Sequence, residues 1–486
     1  MMNWRFHVQS TQSPAVINTM QLLARLAEAE GDLALLHEAP NGRAVIGVNP
    51  LITFTAWRHG IRCRVALETS PQIKQSNNPP IPTNAIDASE ALKIWERVLS
   101  GVHFSGLSIP TEMFGWLGFI SYELGVMLEL PSLYMDDESP PLLHWQLFSQ
   151  YFVYDSARDV WTLIVLDPHE PEKKKVGQIW SDMHRVLDAA TDNSADDLTA
   201  VGCSEIIQTP DRGRFEENIR RCLDYIAAGD IYQANLAEHW ILHSGIKPVQ
   251  IYRNMIELSP SHYGAFVRFG IKNICSVSPE LFVLRRGDKL VTQPIKGTRR
   301  RYLSDPSMDE RERNDLLKSP KDRAELAMIV DLLRNDLGRV CIPGSVRVVD
   351  ERRIERLPTV WHTSSRIEGV LRSGATSRWA DLIAGVCPGG SITGVPKIRA
   401  MEIIAELEGQ PRGVYCGNIG WIHPNGDGVL NIAIRTLHVN NGLARISAGS
   451  GIVAESNPQE EFAEVHAKAF ALLKALEANL PAAISR

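Results

Sequence analysis

Thr292-Gln293-Pro294-Ile295-Lys296-Gly297-Thr298-Arg299 sets one lysine in a tight bend between a hairpin and a basic run. Two short apolar runs precede it, Leu281-Phe282-Val283-Leu284 and Leu290-Val291-Thr292, split by Gly287-Asp288; the pattern predicts a β-hairpin. Lys296 lies just past the second arm, where the chain turns at Gly297. A lysine held by rigid backbone against a cleft can lose its proton and attack carbon. A lysine on a turn is equally an ordinary solvated cation. The octapeptide alone leaves both readings open.

The chain has 486 residues, of which 44% are hydrophobic and 22% charged, the balance of a globular protein. That length suits about two to four ordinary domains or one large composite fold. A net charge of -6 argues against a nucleic-acid binder, which carries a basic excess. No run of about 18 apolar residues predicts a membrane span. Met1-Met2-Asn3-Trp4-Arg5-Phe6-His7 lacks the apolar core of a signal peptide. The seven cysteines are scattered without a C-x-x-C pair, and seven is odd, so at least one thiol is unpaired. Reduced thiols and a cytoplasmic location are the simplest account. No histidine cluster stands at metal spacing, so a metal here is expected to be a hard ion held by carboxylates.

Residues 1–200 read as an N-terminal region of short strands and few helices. Thr19 to Ala29 has helical periodicity, and 34–38 and 44–48 read as strands. Gln75 to Asn84 reads as a loop, and 113–123 as a glycine- and aromatic-rich strand and turn. Leu147 to Tyr154 and Val160 to Leu166 alternate as a β-pair. No catalytic grouping stands out here. The polar stretch from Ala189 to Pro210 suits a boundary before a second region, 210–480.

In that region Phe215, Ile219, Cys222, Leu223 and Ile226 share one helix face, which Gly229 can close. Residues 231–236 then read as a strand on which Gln233 and Asn235 share a face, as ladder neighbours or as a substrate surface. Ser319-Pro320 starts a helix with Leu326, Ile329, Val330 and Leu333 buried, Glu325 at the margin and Gly338 able to close it. Asn457-Pro458 starts a second, with Glu461, Glu464 and Lys468 on one face. Each carboxylate has a bland alternative, a surface pair with a nearby lysine or arginine. If the helices meet, Glu325 and Glu464 form a paired-carboxylate site suited to Mg²⁺ and an anionic substrate.

Pro388-Gly389-Gly390-Ser391-Ile392-Thr393-Gly394-Val395-Pro396-Lys397 runs into a helix over roughly 396–407. Its free amides suit an anion, or the loop is a plain connector. Three β-segments follow, 414–422, 428–439 and 444–447, joined at Asn425-Gly426 and Asn441-Gly442. Asn431, Ala433 and Arg435 are expected on one face of the middle strand, with Arg435 meeting a cleft anion or a cross-strand carboxylate. At Gly449 and Gly451 backbone can approach a ligand closely.

These segments together resemble the chorismate-utilising enzymes, the family of anthranilate synthase large subunits, aminodeoxychorismate synthases and isochorismate and salicylate synthases. The residues that carry the resemblance are Asp230-Ile231-Tyr232-Gln233-Ala234-Asn235-Leu236, Ser278-Pro279-Glu280, the Lys296 octapeptide and Lys321-Asp322-Arg323-Ala324-Glu325. Asp331-Leu332-Leu333-Arg334-Asn335-Asp336-Leu337, the glycine loop and 449–468 complete it, and Gly115-Trp116-Leu117-Gly118-Phe119 extends it into the first half.

The resemblance implies an α+β (mixed α/β) fold, two large antiparallel β-sheets packed together with helices outside. It implies that Glu325 and Glu464 bind Mg²⁺ with Glu461 close by. It implies that Tyr415, Arg435 and the amide of Gly451 hold a carboxylate of chorismate, and that Gly449, Thr298, His362, Ser391 and Lys468 line the site. Gln233 stands where water-using members carry a lysine, which fits ammonia use, with Asn235 beside it. Lys296 and Asn235 resemble the aminodeoxychorismate branch, in which Lys296 is the nucleophile and Glu280 the acid. A separate glutamine amidotransferase subunit would supply the ammonia. An anthranilate synthase with an atypical lysine and a silent chorismate-binding subunit are the alternatives. Leu35-Leu36-His37-Glu38 and Arg300 depart from the family's pattern, and Arg299-Arg300-Arg301 reads as a solvated or partner-facing run.

Overall fold

The hairpin forms where the sequence places it: Leu281–Arg286 pairs antiparallel with Lys289–Gln293, and Gly287 turns the chain at φ 56°. A computed structural model describes residues 4–14, 18–28, 31–38, 42–65, 87–106, 114–133, 141–167, 177–178, 181, 204–372 and 378–477. The expected loop over 75–84, and 189–203 of the expected boundary, lie outside these residues.

The strands build two large, mainly antiparallel sheets. One runs, in spatial order, Val102–Gly106, Trp4–Pro14, Val160–Asp167, the second half of Leu143–Asp155 and the first half of Arg43–Trp57. It continues through Leu33–Glu38, Tyr263–Phe269, Lys272–Ser278, Thr436–Asn440, Leu443–Ile452 and Gln233–Ser244. The other runs Gly60–Val65, the remaining halves of Arg43–Trp57 and Leu143–Asp155, Trp116–Ile120, Asn418–Ile422 and Gly428–Asn431. The hairpin, Val360–Val370 and Arg347–Arg356 complete it. Arg43–Trp57 and Leu143–Asp155 pass through both sheets, and their register shifts between Pro50 and Ile52 at the crossing. Both halves of the chain contribute to both sheets.

Alternation along the strands sorts side chains into two cores. Leu33, Leu35, Phe266, Cys275, Leu236 and Trp240 face helices on the outside of the first sheet. Ala34, Leu36, Ala265, Val267 and Ile274 face the second sheet. There Phe119 and Phe269 meet with ring centroids 5.5 Å apart. No helix among the described residues is long and apolar enough to cross a membrane. Cys63, Cys222, Cys275, Cys341, Cys387 and Cys416 are free thiols.

Several local expectations change. Lys296 lies in a strand, Ile295–Arg300, and the bend at Gly297 is a bulge within it. The first half's strand 116–120 is followed at Tyr122 by a helix running to Glu129. The strand predicted over 231–236 spans Gln233–Ser244, and Ser204–Gln208, inside the expected boundary, pairs with it. Gly338 lies inside Pro320–Val340, which closes at Cys341.

The middle strand over 428–439 is broken. Gly428–Asn431 belongs to the second sheet and Thr436–Asn440 to the first. Residues 432–435 carry the chain between them, with Arg435 at φ 49°, so the expected alternation from Asn431 to Arg435 does not hold. Nor is the arginine run uniformly solvated: Arg301 is buried and binds Asp309 at 2.9 Å, while Arg299 reaches Asp322 at 3.0 Å. Strand alternation turns neighbouring arginines to opposite sides.

Glycine sets the seam between the sequence halves. Gly420 stands opposite Gly118 across the Asn418–Ile422 and Trp116–Ile120 pair. A Cβ on Gly420 would collide with the carbonyl oxygen of Val429, and one on Gly118 with that of His144. Backbone cannot step aside as a side chain can. Gly420→Ala is therefore expected to destabilise the protein by at least about 1–3 kcal/mol. Thermal unfolding checks this: an unchanged midpoint would show that the seam yields.

Candidate active site

Lys296 is aimed by its backbone. Gly297 has φ 78°, and a Cβ on it would lie 2.9 Å from the side chains of both Asp322 and Leu316. The bulge therefore fits only glycine, and the helix Pro320–Val340 starts directly against it. The Thr363 hydroxyl donates to the Lys296 carbonyl and pins the strand there. On the far side, Lys296 Nζ lies 3.8 Å from where a Cβ on Gly451 would stand.

Burial lowers the pKa of Lys296; Lys468 adds to that, while Glu325, Glu280 and Glu464 oppose it. Glu280, at 5% exposure, sits between the strands Lys272–Ser278 and Leu281–Arg286. Burial pushes its carboxyl up to about 7 against the Ser391 hydroxyl and the Lys296 ammonium. Burial thus draws the lysine towards its free amine and the carboxyl towards its acid form. Ser391 is held in the short turn Gly390–Ile392 of the glycine loop.

Gln233 and Asn235 share the face of their strand that looks onto Gly449 and Gly451. Gln233 is 1% exposed, yet its side-chain oxygen and nitrogen have no hydrogen-bond partner, nor does Asn235 Oδ1. Unpaired buried amides are costly and point to a ligand that completes them. The glycines supply the room. A Cβ on Gly451 would lie 3.0 Å from Gln233 Nε2, and one on Gly449 would lie 2.8 Å from Asn235 Oδ1 and 3.1 Å from Tyr415 Oη.

The two acidic helices both reach this cleft. Ser319 caps one and Asn457 the other through their side chains. Burial raises Glu325, with Glu464 adding to the effect and Lys296 opposing it. Burial also works on Glu464, but Lys468, bound at 2.6 Å, and Ser450 bring it below the ordinary carboxylate range. Lys468 also donates to the carbonyl of Gly449 at 3.0 Å. Lys321 lies 3.9 Å from Glu325.

Among the described residues no group of three histidine, cysteine or acidic side chains gathers as a metal cage. Glu325 and Glu464 supply two carboxylates, and a magnesium ion that keeps water and takes an anionic substrate asks for no more. Glu461 is buried and accepts from Ser450 and, at 2.6 Å, from Ser456.

Two expected residues have partners of their own, and a third is exposed. Arg435 is buried, its pKa lowered by that burial, and it donates to Ser259 at 3.2 Å. Among the described residues it forms no ion pair, so an anion would find its charge uncompensated. His362 stands opposite Thr298, one register step from the Lys296–Thr363 pair, with Nε2 3.2 Å from Glu355. Thr298 is exposed.

Sequence reasoning missed Glu123, Glu408 and Arg412, a buried network beneath the site. The i, i+4 spacing of Glu408 and Arg412 was the only signal, and it reads as a surface pair. Asp336 and Lys397, buried and paired at 2.7 Å, gave no signal at all, although both lie in quoted motifs.

The match to known proteins follows this geometry. Residues 56–474 match the family model described as chorismate binding enzyme. The chain is 34% identical to aminodeoxychorismate synthase component 1 of Bacillus subtilis, covering 94% of both chains. It is 36% identical to anthranilate synthase component 1 of Thermus thermophilus, covering 76% of this chain and 79% of that one. The crystal structure of anthranilate synthase component I from Streptococcus pneumoniae superposes with a TM-score of 0.72 at 27% identity, covering 89% of this chain and 92% of that one. The two packed sheets with outer helices are the architecture this likeness requires, and the chain belongs to the chorismate-binding enzyme family.

Proposed function

We propose that the protein is the large subunit of an aminodeoxychorismate synthase, converting chorismate and ammonia to 4-amino-4-deoxychorismate. The observation that carries the reading is Lys296 set against Gly451 and the unpartnered Gln233 amide, with burial drawing both Lys296 and Glu280 towards their neutral forms. A free lysine, with a pKa of about 10.4, is almost wholly protonated at neutral pH and cannot attack. A carboxyl at about 7 can still hold the proton that a leaving hydroxyl needs.

In this reading the Lys296 amine bonds to ring C2 as the ring's electrons shift and the 4-hydroxyl departs, protonated by Glu280. Ammonia then bonds to C4, the electrons return and the lysine is expelled. The pyruvyl ether stays in place. Gln233, neutral and without basic character, orients ammonia and does not activate water. Arg435, Tyr415 and the backbone at Gly449 and Gly451 take one substrate carboxylate. Glu325 and Glu464 would hold Mg²⁺, which supplies positive charge to the other. The relatives are named component 1, which supports a second component here, an amidotransferase delivering ammonia from glutamine.

The relatives named anthranilate synthase favour a second reading, in which the same cleft aminates C2 and expels pyruvate. Incubation with chorismate, Mg²⁺ and ammonium separates the two. The expected product is non-fluorescent aminodeoxychorismate without free pyruvate; fluorescent anthranilate with pyruvate would overturn the first reading. Chelating the metal should abolish turnover.

Lys296→Ala should lose at least about 100-fold in kcat while chorismate still protects the protein against thermal unfolding. An unchanged rate and product in that variant would remove the covalent step.

The pH profile tests Glu280. Its acid form is present below about 7 and lost above it. kcat/KM should therefore fall on the alkaline side of about pH 7, by about tenfold per pH unit, on a limb that reports the free enzyme. A profile flat to pH ~9 would show that no acid of raised pKa takes part.

A further inference from the structure

Beneath the cleft, one guanidinium holds several of its walls. Arg412 follows the helix Lys397–Glu408, which ends at Gly409 with φ 66°. The side chains of Arg412 and Glu408 are 0% and 2% exposed. The guanidinium donates to both oxygens of Glu408, at 2.6 and 2.9 Å. It also donates to the carbonyl of Asn235 at 2.6 Å and to that of Ile392 at 2.9 Å. Glu408 in turn accepts from the Ala237 N–H at 2.8 Å. Asn235 carries one of the unpaired amides, and Ile392 follows Ser391 in the glycine loop.

The N-terminal half braces the same point from outside. Glu123 accepts from the backbone N–H of Arg412 at 2.7 Å and of Gly413 at 3.1 Å. The Tyr122 ring lies 4.6 Å from the Arg412 guanidinium, and the Tyr122 N–H donates to the Gly413 carbonyl at 2.9 Å. Two residues later the chain reaches Tyr415. On the same helix Gly125 packs so closely that a Cβ on it would lie 2.5 Å from Pro388 N, at the start of the glycine loop. Segments carrying Asn235, Ser391 and Tyr415 thus meet at residue 412.

We infer that Arg412 is a positioning residue: its fork fixes the backbone at Asn235 and Ile392 so that Gln233, Asn235 and Ser391 face Lys296 and Glu280. The inference rests on the cleft being the active site proposed above. Stability alone does not ask for this arrangement, since apolar side chains often replace a buried ion pair at no loss. Aiming two carbonyls at once needs a planar set of donors, which lysine lacks. The N-terminal half acquires a function as the outer brace of that fork.

The test is steady-state kinetics of the full chain with chorismate, Mg²⁺ and ammonium, beside thermal unfolding. Arg412→Lys keeps the charge and the contact with Glu408 but cannot also hold both carbonyls. Its kcat should fall about 10- to 100-fold. Its KM for chorismate should move less than about threefold, because Arg435, which takes a substrate carboxylate in the proposed reading, does not touch Arg412. Glu123→Gln loosens the brace from outside and should show the same split with a smaller loss, about three- to tenfold. Gly420→Ala is the control for instability alone and should keep its kcat per folded molecule.

A kcat for Arg412→Lys within about twofold of wild type would overturn the inference, as would an equal loss in Gly420→Ala at a matched fall in Tm. If Arg412→Lys does not fold, Glu123→Gln decides, and an unchanged kcat there overturns it. A wild type that makes anthranilate defeats only the proposed function, since the variant-to-wild-type ratio still judges Arg412. A wild type that turns nothing over defeats both.

Discussion

Removing an amine and a carboxyl from water together is the act on which this cleft depends. Burial is the largest influence on both Lys296 and Glu280, and it moves them in opposite directions towards uncharged forms. Their mutual attraction works the other way, since each favours the charged form of its neighbour. Burial favours the uncharged forms only while desolvation outweighs that attraction, and a surface lysine beside a surface glutamate would settle as an ion pair. The walls must therefore stay close and dry, and the glycines at 297, 449 and 451 let backbone supply them.

The fold serves that need by giving the site walls from two sheets and two helices. Lys296 comes from the second sheet, while Gln233, Asn235 and the two glycines come from the first. A point where two sheets and their covering helices converge is shielded on many sides and still open along strand ends. The chain joins the sheets by bending Arg43–Trp57 and Leu143–Asp155 through both and by crossing over at 432–435. Arg435 sits in that crossover. Its left-handed backbone is uncommon for a residue with a side chain, and its buried guanidinium forms no ion pair among the described residues.

Local chemistry was legible in the sequence, and contacts across the chain were not. The hairpin, the Ser-Pro and Asn-Pro helix starts and the Gln233–Asn235 face each rest on a rule spanning a few residues, and each formed. The 428–439 segment failed because period-two apolar alternation continues through 432–435 while the strand does not. Nothing local signals a change of sheet. Glu123 and Arg412 are separated by nearly three hundred positions, and each reads alone as a surface charge. The depth of Arg301 was hidden for the same reason, because its partner Asp309 and the Leu357 carbonyl come from elsewhere.

The charges in the cleft also constrain what may enter it. Lys296 and Lys468 stand among Glu280, Glu325 and Glu464. Under the proposed function, a substrate bearing two carboxylates would add negative charge, which raises the pKa of every group nearby. For Glu280 that change is helpful, since it holds the acid form. For Lys296 it is harmful, since it restores the ammonium. The site must offset the second effect without losing the first, so cations have to stand nearer the amine or the carboxylates than the acid. Lys468, hydrogen-bonded to Gly449 on the strand that Lys296 faces, already lowers the pKa of Lys296. A divalent ion held by Glu325 and Glu464 would act in the same sense, because those two carboxylates are among the groups that raise the pKa of Lys296. Under the proposed function, filling the acidic pair would also favour the free amine.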